Sequence, residues 1–114
     1  MRQYLTALVI LVAAPAAADE WRLLRGDEIR DVLTERTVDY PSAWQDFRAK
    51  GLTLYNAGAD SWGTWDVRND RYCSQWPPNS AWVCFDVDLN GDGSAVRFRG
   101  TGNDITIGRF RGSK

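Results

Sequence analysis

The sequence predicts a mainly β fold, an antiparallel meander curled into a small barrel-like sheet with one N-terminal helix. Three observations predict it. Glycine, proline and asparagine punctuation is dense after residue 50. The runs between these breaks are short and rich in aromatic and β-branched residues, which is the composition of strands joined by tight turns. Helical spacing of apolar residues occurs in one early segment.

The elements follow in chain order. Arg2 gives a short positive start, Leu5 to Ala14 is an apolar run, Pro15 breaks it, and Ala16-Ala17-Ala18 offers an Ala-x-Ala cleavage site before Asp19. This is the layout of a secretory signal, and the run is too short for a spanning helix, which needs roughly 20 apolar residues. Residues 1–18 are therefore expected to be a cleaved leader, with an uncleaved anchor as the alternative. Residues 19–114 are expected to form one β-rich domain with no membrane span, periplasmic or secreted.

A helix is expected from Asp27 to Glu35, where Ile29, Val32 and Leu33 form one apolar stripe. Asp27 suits the N-cap, and Glu28 suits the positive end of the helix. The helix should stop before the β-branched pair Thr37-Val38. Strands are expected at Trp44–Arg48, Leu52–Asn56, Ser61–Val67, Arg71–Trp76, Ala81–Asp88, Ala95–Arg99 and Asp104–Phe110. Turn chemistry separates them, from Ala49-Lys50-Gly51 to Gly100-Thr101-Gly102-Asn103.

The cysteine hairpin can be placed in register. A turn centred on Pro78-Asn79 sets Cys73 directly opposite Cys84, within disulfide reach. The same register sets Arg71 opposite Asp86. On the other face it sets Tyr72 against Phe85 and Ser74 against Val83, a mostly apolar side suited to burial. A slip of one residue would lose all of these pairings together. Two cysteines in an exported chain also fit a structural bridge.

Function classes narrow by what the chain lacks. There is no histidine, which removes the usual general base and the usual zinc ligand. No acid/base pair, nucleophile system or phosphate-cradling loop is recognisable, so no catalytic, cofactor or metal residue is assigned and no enzyme is expected. Asp88, Asn90, Asp92 and Gly93 match the first positions of an EF-hand-like loop, but its twelfth position is Arg99, so the segment reads as a hairpin turn. Net charge is −1, which speaks against nucleic acid as a partner. The distribution is uneven: residues 19–94 carry 8 Lys/Arg against 14 Asp/Glu, and residues 95–114 carry 5 against 1. The basic end strands are expected to pair with acidic neighbours. Arg97 and Arg99 alternate with Val96 and Phe98 and should form a solvated arginine face. Trp62 and Trp65 differ in parity and should point to opposite faces. Trp82 falls on the cysteine face, opposite Gln75.

Gly26-Asp27-Glu28-Ile29-Arg30, Gly63-Thr64-Trp65-Asp66-Val67, Asp70-Arg71-Tyr72-Cys73, a second cysteine in the next strand and a closing Val96-Arg97-Phe98 resemble a class of small exported alphaproteobacterial domains of unknown function. The resemblance implies a β-rich periplasmic domain with one disulfide and no catalytic residues. In size, compartment and strand content the chain is also similar to small disulfide-bonded β-barrels that inhibit lysozymes. The expected function is non-enzymatic: binding an envelope protein, or acting as an inhibitor. The alternative is a glycan-binding module whose surface uses Trp82, Trp62, Arg97 and Arg99.

Overall fold

A computed structural model describes residues 20–112. The leader-like segment 1–18 lies outside the described residues. The element order is β1 (Trp21–Leu23), α1 (Gly26–Leu33), β2 (Arg36–Tyr40), β3 (Ala43–Phe47), β4 (Leu52–Asn56), β5 (Asp60–Arg68), β6 (Arg71–Gln75), β7 (Val83–Asn90), β8 (Ala95–Arg99) and β9 (Ile105–Phe110).

Strands β2 to β9 form an antiparallel meander in which each pairs with its successor, and β9 pairs back on β2 through Val38↔Phe110 and Asp39↔Arg109. The sheet is thus a closed eight-stranded barrel, and closure covers the edges of β2 and β9 where the two strands pair. Strand β6 is short and pairs only with the first residues of β7, Val83 to Phe85. The rest of that edge is filled by β1, which pairs with Asp88 to Asn90.

Alternation decides what fills the barrel. Val38, Phe47, Trp65, Tyr72, Val87, Val96 and Phe98 are buried together inside. Phe47 is the hub: it meets Trp65 at 5.7 Å and Tyr72 at 5.6 Å edge to face and stacks on Phe98 at 6.2 Å, geometries that add to the area buried. Helix α1 closes one end. Its stripe of Ile29 and Leu33, joined by Leu24, is fully buried in the same core, and Arg30 ties it to Asp66 on β5 at 3.1 Å. The turns 48–51, 69–70 and 91–94 lie at this closed end. The connections 41–42, 57–59, 76–82 and 100–104 ring the opposite end, which is the mouth.

The cysteine hairpin has the expected register. Cys73 faces Cys84, Tyr72 faces Phe85 and Ser74 faces Val83, the disulfide is formed, and Arg71 Nε donates to Asp86 at 3.2 Å. Several expectations need correction. The helix spans Gly26–Leu33, and its N-cap is Arg25 without a side-chain cap, so Asp27 sits inside the first turn. The helix stops early because the chain turns through Glu35 at φ 60° to donate the Glu35 N–H to the Phe47 carbonyl. Strands β1 and β2 were not expected. Thr37-Val38-Asp39-Tyr40 does alternate, but directly after the helix its β-branched pair reads as a helix stop. The hairpin connection is longer than expected, running over 76–82. It is held by Gln75 donating to the Ser80 carbonyl at 2.6 Å and by Asn79 accepting from the Ala81 N–H at 2.9 Å.

Candidate functional site

The barrel is not filled to the top. Above the Phe47 core the inward residues of the mouth half surround a cup of about 410 Å³, lined by Tyr40, Gln45, Tyr55, Ser61, Tyr72, Ser74, Trp76, Phe85, Phe98 and Thr106. An eight-stranded barrel is just wide enough either to pack solid or to hold one small ligand, and cavities of this size suit small molecules.

Each lining residue is placed by the pleat. Tyr40 ends β2, Tyr55 lies near the end of β4, Ser74 and Trp76 lie at the end of β6 and just beyond it, and Phe98 lies near the end of β8. These strands all run towards the mouth. Ser61, Phe85 and Thr106 lie near the starts of β5, β7 and β9, which run away from it. Two glycines make the room. A Cβ on Gly63 would stand 2.6 Å from Cε3 of Trp76 and 2.8 Å from the Gln75 carbonyl oxygen, so the indole lies directly on the bare β5 backbone. On β9, Gly108 leaves space in the same way for the Tyr40 ring, whose Cε1 would lie 2.8 Å from an added Cβ.

The floor carries a closed hydrogen-bond network. Tyr40 Oη donates to Gln45 Oε1 at 2.8 Å, and Gln45 Nε2 donates to Thr53 Oγ1 at 2.9 Å and to Tyr72 Oη at 3.0 Å. Trp76 Nε1 donates to Ser74 Oγ at 3.1 Å. No buried side-chain polar atom among the described residues lacks a partner, as burial demands. Burial pushes the Tyr40 hydroxyl well above its ordinary value, and the neighbouring Tyr72 and Tyr55 phenols add to this. Burial likewise raises Tyr72, against opposing hydrogen bonds from Ser74 and Gln45. Both phenols therefore stay neutral across ordinary pH, and no lining residue is a charged type. The cup presents six aromatic rings, with the Tyr55, Ser61 and Thr106 hydroxyls making no hydrogen bond among the described residues.

No family model, no curated protein and no solved structure matches this chain.

The sequence-selected surface residues lie elsewhere, on the barrel exterior. Trp62 is half exposed, with the Arg48 guanidinium 5.2 Å from its ring centre. Trp82 has Arg68 over it at 3.9 Å. Trp65 points inward, opposite in face to Trp62, as parity requires. Arg97 and Arg99 are not freely solvated: their Nε atoms donate to Asp88 at 2.8 and 2.6 Å, and Arg97 also covers Trp21 at 4.6 Å. Burial acts to raise the Asp88 carboxyl, but hydrogen bonds from Arg99 and Arg97 outweigh it and hold the group below its ordinary value.

A pattern emerges around the exterior. Asp39–Arg111–Trp44, Asp46–Arg48–Trp62, Asp66–Arg68–Trp82 and Asp88–Arg97–Trp21 each place an arginine between a carboxylate and an indole. The basic end strands thus pair with acidic neighbours, and in each of the four groups the arginine lies over one face of an outer tryptophan. The EF-hand-like loop is the β7–β8 hairpin. Asn90 Oδ1 accepts from the Ala95 N–H and Asp92 Oδ1 from Ser94, so these oxygens already have protein partners.

Sequence reading missed the cup because its ten residues come from all eight barrel strands and one connection. One signal is present: the hairpin register puts Tyr72, Phe85, Ser74 and Val83 on one mostly apolar face. That pattern alone does not distinguish a packed core from a lined cavity.

Proposed function

We propose that this protein is a non-enzymatic binding protein that takes one small, largely apolar molecule into the mouth of its barrel. The single observation that carries the reading is the cup of about 410 Å³ ringed by six aromatic side chains in a barrel whose other half is solidly packed. The floor donors and acceptors are engaged with one another, so the cup offers apolar contact and a few rim hydroxyls. This suits a flat amphipathic molecule better than a heavily hydroxylated sugar, and a glycan would lose one face of each outer tryptophan to arginine. Export is part of this reading. It is supported by the Cys73–Cys84 disulfide and by the leader-like residues 1–18, and no helix among the described residues is long and apolar enough to cross a membrane.

The test is titration with the neutral fluorescent probe N-phenyl-1-naphthylamine. Saturable one-to-one binding is expected. Ser61→Trp, a substitution at an exposed rim position, should abolish it while leaving the melting temperature unchanged. Absence of saturable binding by the wild-type protein overturns the reading.

A second reading, docking on a protein partner as an inhibitor would, is favoured by β9. Ile105 and Ile107 are 56% and 46% exposed on this strand, and residues 105–107 pair with β8 alone. Stoichiometric loss of lysozyme activity, reversed by Ile107→Ser, would support it, and an unchanged activity curve would remove that target.

A further inference from the structure

We propose that the occupant of the cup is an organic cation with a methylated ammonium head, held against the aromatic rings with Asp104 as its counter-charge at the lip. This deepens the ligand-cup reading and rests on it.

The chemistry of the lining points this way. Ring faces carry partial negative charge and attract cations, most effectively where water is excluded and where the cation is weakly hydrated. Six of the ten lining residues are aromatic. An anion would find few donors, since the Gln45 amide, the Tyr40 hydroxyl and the Trp76 indole N–H all donate within the protein. A primary ammonium would have to shed strongly held water with few acceptors to replace it. A quaternary head sheds much less.

The charge layout agrees. The mouth segments 40–43, 55–61, 75–83 and 100–106 contain no lysine or arginine, and their charged residues are Asp60 and Asp104. Asp60 accepts a hydrogen bond from Asn56 at 2.8 Å. Asp104 has the parity of Thr106, which lines the cup, and among the described residues its carboxylate makes no ion pair or hydrogen bond. Its position is fixed by the Gly100 turn, where Gly100 N donates to the Asp104 carbonyl at 2.8 Å. A point just above Gly100, where a Cβ would stand, lies 2.7 Å from Asp104 Oδ2 and 2.9 Å from Cε2 of Phe85. The Asp104 carboxylate and the Phe85 ring are therefore close neighbours at the lip, which places a negative charge beside a lining ring where a cationic head would enter the cup.

The experiment compares choline with 3,3-dimethylbutan-1-ol, its uncharged isostere, by calorimetry and tryptophan fluorescence, on wild type and Asp104→Asn. Choline is expected to bind at least tenfold more tightly than the isostere. Asp104→Asn, an exposed loop change, should weaken choline about tenfold and leave the isostere unaltered. Equal or tighter binding of the isostere overturns the cation proposal, as does an Asp104→Asn variant that binds choline normally. If neither compound binds while the neutral naphthylamine does, the cation proposal falls and the ligand cup stands. If the naphthylamine also fails, both fall.

Discussion

Replacing Gly63 by alanine tests the relation between the barrel wall and the cup. The added methyl carbon would stand 2.6 Å from Cε3 and 2.8 Å from Cδ2 of Trp76, where ordinary contact begins near 3.4 Å. The Gln75 carbonyl, 2.8 Å away on the other side, belongs to β6 and pairs with Thr64 in the ladder, so the backbone cannot give way cheaply. The indole must retreat by about 0.8 Å, the gap between those two distances. That shift stretches its 3.1 Å hydrogen bond to Ser74 past useful length, at about 1 kcal/mol. Overpacking adds about 1–3 kcal/mol. The stiffer unfolded chain of the alanine variant returns about 0.4–1 kcal/mol. The expected net loss is about 1–3 kcal/mol, a fall in Tm of roughly 5–20 °C for a domain of this size. Thermal melts by near-ultraviolet circular dichroism measure it, with a changed aromatic band at low temperature as the sign that Trp76 has moved. A Tm within 2 °C of wild type, or a higher one, would refute the seating of Trp76 on Gly63 and the cup geometry that depends on it.

Three further outcomes are expected. Replacing both Cys73 and Cys84 by alanine removes a short-loop constraint, so urea melts should show a loss of about 3 kcal/mol, with wild type in reductant showing a similar fall. Asp88→Asn removes the negative charge and one of the two accepting oxygens that Arg97 and Arg99 share and should cost about 2–3 kcal/mol by the same assay. The sign of its pH dependence follows from the lowered Asp88 value: the contribution is complete above the ordinary carboxylate range near 4 and disappears as pH falls through the lower folded value, so wild type and Asp88→Asn should converge in stability at acid pH. Leu33→Ala, in the fully buried helix stripe, should cost about 2–5 kcal/mol, and a loss below 1 kcal/mol would contradict the role of α1 in closing the barrel.

The local chain carried much of this architecture on its surface. Alternation and turn residues located seven of the nine strands to within a few residues, because a half-buried strand writes its period of two into the chain. The cysteine register was legible because three kinds of pairing, covalent, ionic and aromatic, agreed on one alignment. Two strands were not legible. β1 has three residues and is held as a strand only by its partner β7. β2 follows the helix so closely that its pattern merged with the helix end. The same local reading assigned Arg97 and Arg99 to a solvated face, because it shows which side a residue takes and not that Asp88 lies buried beneath them.

What the sequence by itself determined was the fold class, the one helix, the disulfide and the opposite faces of Trp62 and Trp65, all set by contacts between residues near in the chain or across one hairpin. Only the tertiary structure decided that the sheet closes, because closure depends on β2 meeting β9, and Asp39 lies far along the chain from its partner Arg109. Closure also created the cup: six rings spread from Tyr40 to Phe98 become one lining only when the strands form a circle and the helix takes one end and leaves the other open.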